Sequence, residues 1–387
     1  MEGLEQQLFV ACSNGNVEEI KQLLLNPNLN PNCQDTSLWK RTPFWIACEN
    51  ECLEVVELLL NDKRIDINKR NVNRLTPLSV ACEKGQIEVV KLLLNDEFQR
   101  ANWNQENNDG RTLFFLACQE GHIEIVKFLL NNNGVSVDKT NHYGEIPLNI
   151  ACEKGHIDIV KLLLNDKRVD VNKEDEDDGV TPFYIACEKG HIDIVKLLLN
   201  DDRIDVNKGD YFGKTPFWIA CQSRHPEVVK LLLNDERVNK NQTESGNKKT
   251  PFWMTCEKGN IEIVKLLLND QSVDINKANK HGVTPFYIAC SNGHREVVEY
   301  TLASRREINL TTKDNQKKTA IDIAKEKEKG ERFWESKEEF QRKKTDYQKI
   351  VKLLESFEEN PNETITKLRI RLGLISKTFF FYFFFLS

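Results

Sequence analysis

The 387 residues predict an all-α solenoid of stacked helix–turn–helix repeats with projecting β-turn arms. The first observation is that one segment, clearest at residues 181–200, recurs along the chain. The second is its spacing, because an Ala-Cys pair marks successive copies at steps of 34 to 36 residues. The pairs begin at residues 11, 47, 81, 117, 151, 186, 220 and 289, with Thr-Cys at 255 and Ile-Ala at 323. Such a period is typical of solenoids, in which neighbouring units share a core.

Each copy predicts two helices separated by a tight turn. In the clearest copy, Thr181 is a good N-cap, and the proline after it suits the first helical position. Gly190 stands where a left-handed residue would end that helix. A second helix is predicted over residues 192–199, apolar except for Asp193 and Lys196, which share an exposed edge. The Ile and Val residues that follow predict a short extended arm, and the Asn, Asp and Gly after them predict a turn.

The domain organisation follows from the ends of this pattern. We expect a repeat array over residues 1–357, divided into an N-terminal cap at 1–35, internal repeats at 36–313 and a C-terminal cap at 314–357. The caps should be atypical because one face of each meets water. An insert near residues 327–345, mostly Lys, Glu and Arg, either extends the cap helices or hangs as a charged loop. Residues 358–387 are expected to be a disordered tail.

The Phe-rich end at residues 379–386 is too short to span a membrane as a helix. Three interpretations compete: a tail that touches a membrane, an aggregation-prone disordered end, or a faulty chain terminus. We expect the third, because sequences normally avoid exposed aromatic runs. Membrane association is therefore not expected, and deletion of residues 372–387 would test it.

Composition limits the remaining classes. A net charge of −6 gives no case for nucleic-acid binding. Nine of the eleven cysteines take one equivalent position each, at residues 12, 48, 82, 118, 152, 187, 221, 256 and 290. Equivalent positions on packed helices lie about 8–10 Å apart, too far for disulfides or a zinc site. We predict small buried residues, and a reducing compartment, the cytoplasm or the nucleus. Residues 1–15 show no secretory signal.

The repeated pattern Thr-Pro-Phe-x-Ile-Ala-Cys-x-x-Gly-His-x-x-Ile-Val-x-x-Leu-Leu, followed by Asp-Val-Asn, resembles the ankyrin repeat. The resemblance covers residues 4–356 and about ten repeats. It implies a concave surface, built from the arm tips and the first helices, that holds a protein partner.

The chain departs from that family at two kinds of position. Where the family usually has His after Thr-Pro-Leu, this chain has mostly aromatic residues, at Trp45, Ser79, Phe115, Asn149, Tyr184, Trp218, Trp253 and Tyr287. Either they pack between layers or they line the inner surface, and we expect packing. Glu51 and Arg224 replace the turn glycine, at a cost on the order of 1 kcal/mol each, so we expect irregular turns there.

No residue pattern supports an enzyme, a cofactor or a metal. The histidines at 122, 156, 191 and 294 share one position, one per layer, which predicts a structural hydrogen bond at a turn. His142, His225 and His281 stand alone in the sequence pattern. The acidic run at residues 174–178 lacks the ligand spacing of a calcium loop, so we interpret it as an acidic arm tip.

The candidate partner-binding residues are those that vary while the repeat frame stays fixed. Before the Thr-Pro pairs these are His142, Tyr143, Asp177, Asp178, Tyr211, Phe212 and Lys214, and after the Ala-Cys pairs they are Glu153, Lys154, Glu188, Lys189 and Gln222. Tyr143, Tyr211 and Phe212, with Trp39 in an earlier arm, are typical interface anchors. The acidic tip between them predicts a partner with basic and apolar groups side by side.

The sequence thus predicts a non-catalytic, monomeric scaffold for protein–protein interaction. The alternative is an adaptor or targeting fragment of a larger signalling or effector protein whose catalytic part is absent. Sequencing of full-length transcripts would distinguish the two. A repeat array specifies a surface and does not name its partner.

Overall fold

A computed structural model describes residues 3–95, 101–330 and 337–375, with the side chains of 337–340 left out. These residues form twenty-one helices and no strand. The Phe-rich end and residues 331–336 of the charged insert lie outside the described residues. Two compact units divide the chain: the first holds residues 1–185 and 200–204, and the second holds 186–199 and 205–387.

Short helices alternate in the order that the repeat pattern predicts. The first helices are α1 (Leu4–Asn14), α3 (Pro43–Glu49), α5 (Pro77–Glu83), α7 (Leu113–Glu120), α9 (Pro147–Lys154), α11 (Pro182–Lys189), α13 (Pro216–Gln222), α15 (Pro251–Lys258), α17 (Pro285–Ser291) and α19 (Ala320–Lys329). The second helices are α2 (Val17–Leu24), α4 (Leu53–Leu60), α6 (Ile87–Leu94), α8 (Ile123–Leu130), α10 (Ile157–Asn165), α12 (Ile192–Leu199), α14 (Pro226–Leu233), α16 (Ile261–Asn269), α18 (Arg295–Ala303) and α20 (Lys337–Glu359). A further helix, α21, spans Pro361–Arg371.

Like helices stack on like helices within each unit. In the first unit, α1, α3, α5, α7 and α9 pack in series, as do α2, α4, α6, α8 and α10. In the second unit the series are α13, α15, α17 and α19, and α12, α14, α16 and α18. This arrangement confirms the predicted helical solenoid, because each short amphipathic pair buries its apolar faces against its neighbours.

The predicted threonine caps are present. The Oγ1 atom of the capping threonine accepts a hydrogen bond of 3.0–3.2 Å from the backbone N–H three residues on, at Thr42, Thr76, Thr112, Thr181, Thr215, Thr250 and Thr284. Ile146 takes this position before α9 and makes no such bond. Each cap satisfies a backbone donor that the helix leaves without a partner.

The turns between paired helices are more uniform than the sequence predicts. The turn glycines adopt φ values of 70° to 83°. Glu51 and Arg224 adopt φ values of 57° and 65°, so they keep the same left-handed turn. Our expectation of irregular turns there is wrong. The neighbouring helices fix the turn geometry, and the strain stays in the two side-chain-bearing residues.

Each arm folds into turns that end in what we call a fingertip, the residues just before the next first helix. The predicted alternating residues, such as Ile204 and Val206, are buried at the base of the arm. In the second unit, Asp210 opens a fingertip, and its Oδ1 accepts the N–H groups of Phe212 (3.0 Å) and Lys214 (2.8 Å). This side-chain-to-backbone pattern is the usual one for an Asp or Asn turn.

An arginine in the arm also joins neighbouring repeats, and this contact was not predicted. Arg168 pairs with Asp166 (2.6 Å) and also donates from Nη2 to the carbonyl of Leu130 at the end of α8 (2.8 Å). Hydrogen bonds from this guanidinium lower the pKa of Asp166. Arg64, Arg203 and Arg237 repeat the arrangement with the carbonyls of Leu24, Leu164 and Leu199. A basic side chain thus caps the second helix of the preceding repeat.

The C-terminal cap is larger than expected. Residues 361–371, which we expected to be disordered, form α21 against α18. Leu368 is buried there, and Arg371 reaches the buried carboxylate of Glu299 (2.8 Å). Of the charged insert, the described residues extend α19 to Lys329 and form the start of α20. The apolar face and the ion pair explain the order of α21.

Candidate protein-interaction surface

Fingertip geometry turns certain side chains outward. In the fingertip of residues 139–145, Asn141 Oδ1 accepts the N–H groups of Tyr143 and Glu145, both at 3.0 Å. The Asn141 side chain therefore holds the turn without using the Tyr143 ring, which is 52% exposed. Tyr211 and Phe212 are 60% exposed, and Trp39 is 51% exposed. Among the described residues these four are the exposed large aromatic side chains.

The aromatic residues of the first helices behave in the opposite way. Trp45, Phe115, Tyr184, Trp218, Trp253 and Tyr287 are buried, as are Ser79 and Asn149 at the same position. The predicted packing role is confirmed. Exposure of the fingertip aromatics is therefore specific to their position and is not a general property of aromatic residues in this chain.

The candidates of the first unit lie on two fingertips and one helix end. The His142 N–H donates to the carbonyl of Asp109 (2.8 Å), which ties its fingertip to the preceding one. Asp177 and Asp178 are exposed on the following fingertip. Glu153 and Lys154 close α9 and pair at 3.7 Å.

The acidic run is organised by one buried carboxylate. Asp175 is buried, and its Oδ1 accepts the N–H groups of Asp178 (3.0 Å) and Val180 (3.1 Å). Burial raises the pKa of Asp175 despite these hydrogen bonds. Gly144 lies under this turn, since an added Cβ would come within 2.4 Å of Glu176. The run therefore forms the predicted acidic fingertip.

The candidates of the second unit lie on one fingertip and at two helix ends. The Lys214 Nζ lies 5.6 Å from the Phe212 ring centroid and 5.1 Å from that of Trp218. Gln222 ends α13, and Glu188 and Lys189 end α11. Tyr211 stands beside Phe212 on the exposed side of the same fingertip.

A basic side chain over the buried aromatic is a recurrent feature that sequence reasoning missed. Arg41, Arg111 and Lys249 lie 5.8, 5.8 and 4.4 Å from the ring centroids of Trp45, Phe115 and Trp253. Eight residues after the basic residue, an acidic partner follows in the pairs Arg41–Glu49 (3.3 Å), Lys249–Glu257 (3.1 Å) and Lys318–Glu326. The sequence signal that could have revealed this contact is the spacing i, i+4, i+8 of the basic, aromatic and acidic residues.

The histidines form the predicted structural hydrogen bonds. Nε2 of His122, His156 and His294 lies 2.8–3.0 Å from a carbonyl oxygen that ends the first helix of the preceding repeat. His225, which we set apart in the sequence, does the same with Glu188 (2.8 Å). The Arg224-His225 pair hid this equivalence, because the usual glycine is missing before the histidine.

The cysteines are buried side chains that pack between layers. All nine at the repeated position are at most 2% exposed, as predicted. Burial raises the pKa of these thiols, for example at Cys82 and Cys152. Among the described residues, no group of three or more His, Cys, Asp or Glu side chains could hold a metal ion. Nor is any helix in the described ranges long and apolar enough to cross a bilayer.

These features define an α-solenoid repeat protein. A family model described as ankyrin repeats (3 copies) matches residues 8–101, 97–175, 167–244 and 236–314. The chain therefore belongs to the ankyrin repeat family, whose repeats are generally modules for protein–protein interaction. No match to a curated protein was found.

Proposed function

We propose that this chain is a non-catalytic scaffold that binds a protein partner through its fingertips and first helices. One observation carries the proposal: the exposed large aromatic side chains of the described residues lie on fingertips, while those of the first helices are buried. Exposed aromatic residues are favourable anchors because they bury large areas with few rotatable bonds.

The chemistry of the interior supports a binding role over catalysis. Burial raises the pKa of the thiols that could act as nucleophiles. In four histidines, Nε2 is engaged in a hydrogen bond with a backbone carbonyl. The abundance of thiols suits a reducing compartment, so we place the scaffold in the cytoplasm or the nucleus.

The experiment is affinity capture with the full chain as bait, followed by mass spectrometry. A Tyr211→Ala/Phe212→Ala variant is compared with the wild type, and Tyr143→Ala tests the first unit separately. The matched control is Leu25→Ala, since Leu25 is 77% exposed at the end of α2 and lies on no fingertip. We expect the fingertip variants to lose specific partners and the control to retain them.

Thermal melting of each variant completes the design. Because the substituted side chains are exposed, the melting temperature should change little. Partners recovered equally by all variants would contradict the proposal. A large drop in melting temperature for the double variant would show instead that its rings belong to the core.

A further inference from the structure

Four fingertips of the second unit join into one surface, here called the basic ridge, made of residues 208–214, 243–249, 277–283 and 312–318. Each fingertip bonds to the next through its backbone. The carbonyls of Phe212, Asn247 and His281 accept the N–H groups of Ser245 (2.7 Å), Lys280 (2.8 Å) and Asn315 (3.0 Å). The ridge is therefore continuous within the second unit.

The charge of the ridge is opposite to that of the whole chain. The chain carries a net charge of −6, yet these four segments hold nine lysines and three acidic residues. The lysines are 208, 214, 248, 249, 277, 280, 313, 317 and 318, and the acidic residues are Asp210, Glu244 and Asp314. Such a local excess attracts anionic groups.

The three acidic residues leave a clear excess of lysines, and their carboxylates are engaged in the turns of their own fingertips. Glu244 accepts the N–H groups of Gly246 (2.6 Å), Asn247 (2.7 Å) and Lys249 (3.1 Å). Burial opposes the ionised form, but these hydrogen bonds hold the pKa of Glu244 below its usual value. Asp314 likewise accepts the Tyr287 hydroxyl (2.8 Å).

In the part of the chain that the structure describes, five of the ridge lysines form no ion pair. Lys249 and Lys318 pair with Glu257 and Glu326. Lys277 and Lys280 donate to backbone carbonyls, those of Asn241 and Gly246. Lysines 214, 248, 277, 280 and 317 form no ion pair with an acidic side chain among the described residues, while Lys313 interacts with Asp322.

Lys214 shows what kind of anion the ridge would take. At the equivalent position, Lys249 lies over Trp253 and pairs with the carboxylate of Glu257. Lys214 lies over Trp218 in the same way, but Gln222 stands where Glu257 stands in the next repeat. A carboxylate from another molecule can therefore take the place of the missing glutamate. The exposed Phe212 ring lies 5.6 Å from Lys214 Nζ and offers apolar contact, and Tyr211, the preceding residue, is equally exposed.

We propose that the basic ridge binds an acidic peptide segment, with one carboxylate on Lys214 and an adjacent apolar side chain against Tyr211 and Phe212. The proposal deepens the proposed scaffold function and rests on it. It differs from the partner chemistry that the acidic fingertip suggested, since Asp177 and Asp178 belong to the first unit. The lysine–glutamate pairs favour a carboxylate ligand over a phosphate, because this surface already binds carboxylates in that geometry.

The test uses the full chain and fluorescein-labelled peptides of about twelve residues. An extended peptide spans ~3.3 Å per residue, so this length covers several fingertips. The first set of peptides combines Glu and Asp with a single Phe or Leu. In the second set, Lys replaces the acidic residues. Single-stranded DNA is the third probe and presents phosphates in place of carboxylates. Fluorescence anisotropy gives Kd at low and moderate salt. We expect the acidic peptides to bind, the lysine peptides not to bind, and affinity to fall as salt rises.

Two substitutions of matched size then act in opposite directions. Gln222→Glu gives Lys214 an internal partner and should weaken binding, about two- to fivefold for one exposed ion pair. Glu257→Gln releases Lys249 and should strengthen binding by a similar factor. Neither change removes a lysine or an aromatic ring.

Each other outcome overturns the proposal. Equal Kd values for the wild type and both variants would show that Lys214 does not receive a carboxylate. Tighter binding of DNA, or equal binding of lysine peptides, would exclude an acidic peptide as the ligand. If no acidic peptide binds while Tyr211→Ala/Phe212→Ala still abolishes partner capture, the scaffold function stands and this inference fails.

Discussion

The hydroxyl of Tyr347 donates a 2.8 Å hydrogen bond to the carbonyl oxygen of Ser291, 56 residues earlier in the chain. In the preceding repeat, His294 Nε2 makes the equivalent bond to Glu257 at the same distance. The Tyr347 ring also lies over Gly293, where an added Cβ would come within 3.2 Å of it. Helix α20 therefore closes the second unit with the contact that histidine makes between repeats, because Tyr347 takes the place of the histidine before the Ile-Val-Lys-Leu-Leu run of residues 350–354.

Loss of this hydroxyl should weaken the C-terminal cap. Tyr347→Phe keeps the buried ring but leaves the Ser291 carbonyl without this donor, so the free energy of unfolding should fall by about 1 kcal/mol. Urea denaturation measures it. Tyr143→Phe removes a hydroxyl from an exposed ring and serves as the control, with a change below about 0.5 kcal/mol expected. Equal stability of Tyr347→Phe and the wild type would show that the bond contributes nothing.

The left-handed turn at Arg224 predicts a stabilising substitution. Arg224 adopts a φ of 65°, which costs a side-chain-bearing residue about 1–2 kcal/mol and costs glycine little. Glycine adds about 0.4–1 kcal/mol of chain entropy to the unfolded state, so Arg224→Gly should gain roughly 0.5–1 kcal/mol. Lys196→Gly, in the interior of α12, is the matched control and should lose about 1 kcal/mol. Destabilisation by both changes would refute the strain argument.

The sequence predicted the frame of the fold because its signals are local and periodic. Thr-Pro caps, turn glycines and buried cysteines recur at one spacing, and each has a single-residue physical reason. The bond from Arg168 to the Leu130 carbonyl could not be predicted, since it joins residues 38 apart and depends on repeat stacking. Helix α21 was missed for a similar reason, because its partner Glu299 lies far back in the sequence.

The candidate surface was predicted in part. Exposure of Tyr143, Tyr211 and Phe212 followed from their place in a turn, and the structure agrees. The cation over the buried ring was missed, because Lys214 ends a fingertip while Trp218 lies in α13, and the contact depends on how the chain turns into that helix.

The pH dependence of stability should report on His294. Burial, assisted by the charges of Lys343 and Arg224, lowers the pKa of His294 below its ordinary value, although the Glu257 carbonyl opposes this. The unfolded chain therefore binds a proton more readily than the folded one. Stability from this group is complete above the unfolded pKa of about 6.5 and is lost as pH falls through the lower folded pKa.

Gln is the appropriate replacement, because Gln86 already donates from Nε2 to the Glu49 carbonyl (2.7 Å) at the same position of an earlier repeat. His294→Gln should therefore retain the hydrogen bond and remove the titration. Unfolding free energies from urea denaturation at pH 7.5 and pH 5, roughly one unit either side of the ordinary histidine pKa, would be compared. The loss on acidification should be smaller in the variant, and an unchanged loss would show that His294 does not contribute to it.

The buried thiols make a prediction about reactivity that separates packing from chemistry. The thiolate is the reactive form, and burial both excludes reagent and raises the thiol pKa at the repeated positions. Of the eleven cysteines, Cys52 is the one that is not fully buried, at the start of α4.

Iodoacetamide at mildly alkaline pH should therefore modify the native protein at Cys52 alone and slowly, since burial also raises the pKa of that thiol. In concentrated urea all eleven cysteines should react, and intact mass spectrometry counts the added groups in both states. Cys52→Ser should leave the native protein unmodified while ten cysteines still react after unfolding. Rapid modification of several thiols in the native state would mean that the layers open, and that the cysteines are available for chemistry which their packing otherwise prevents.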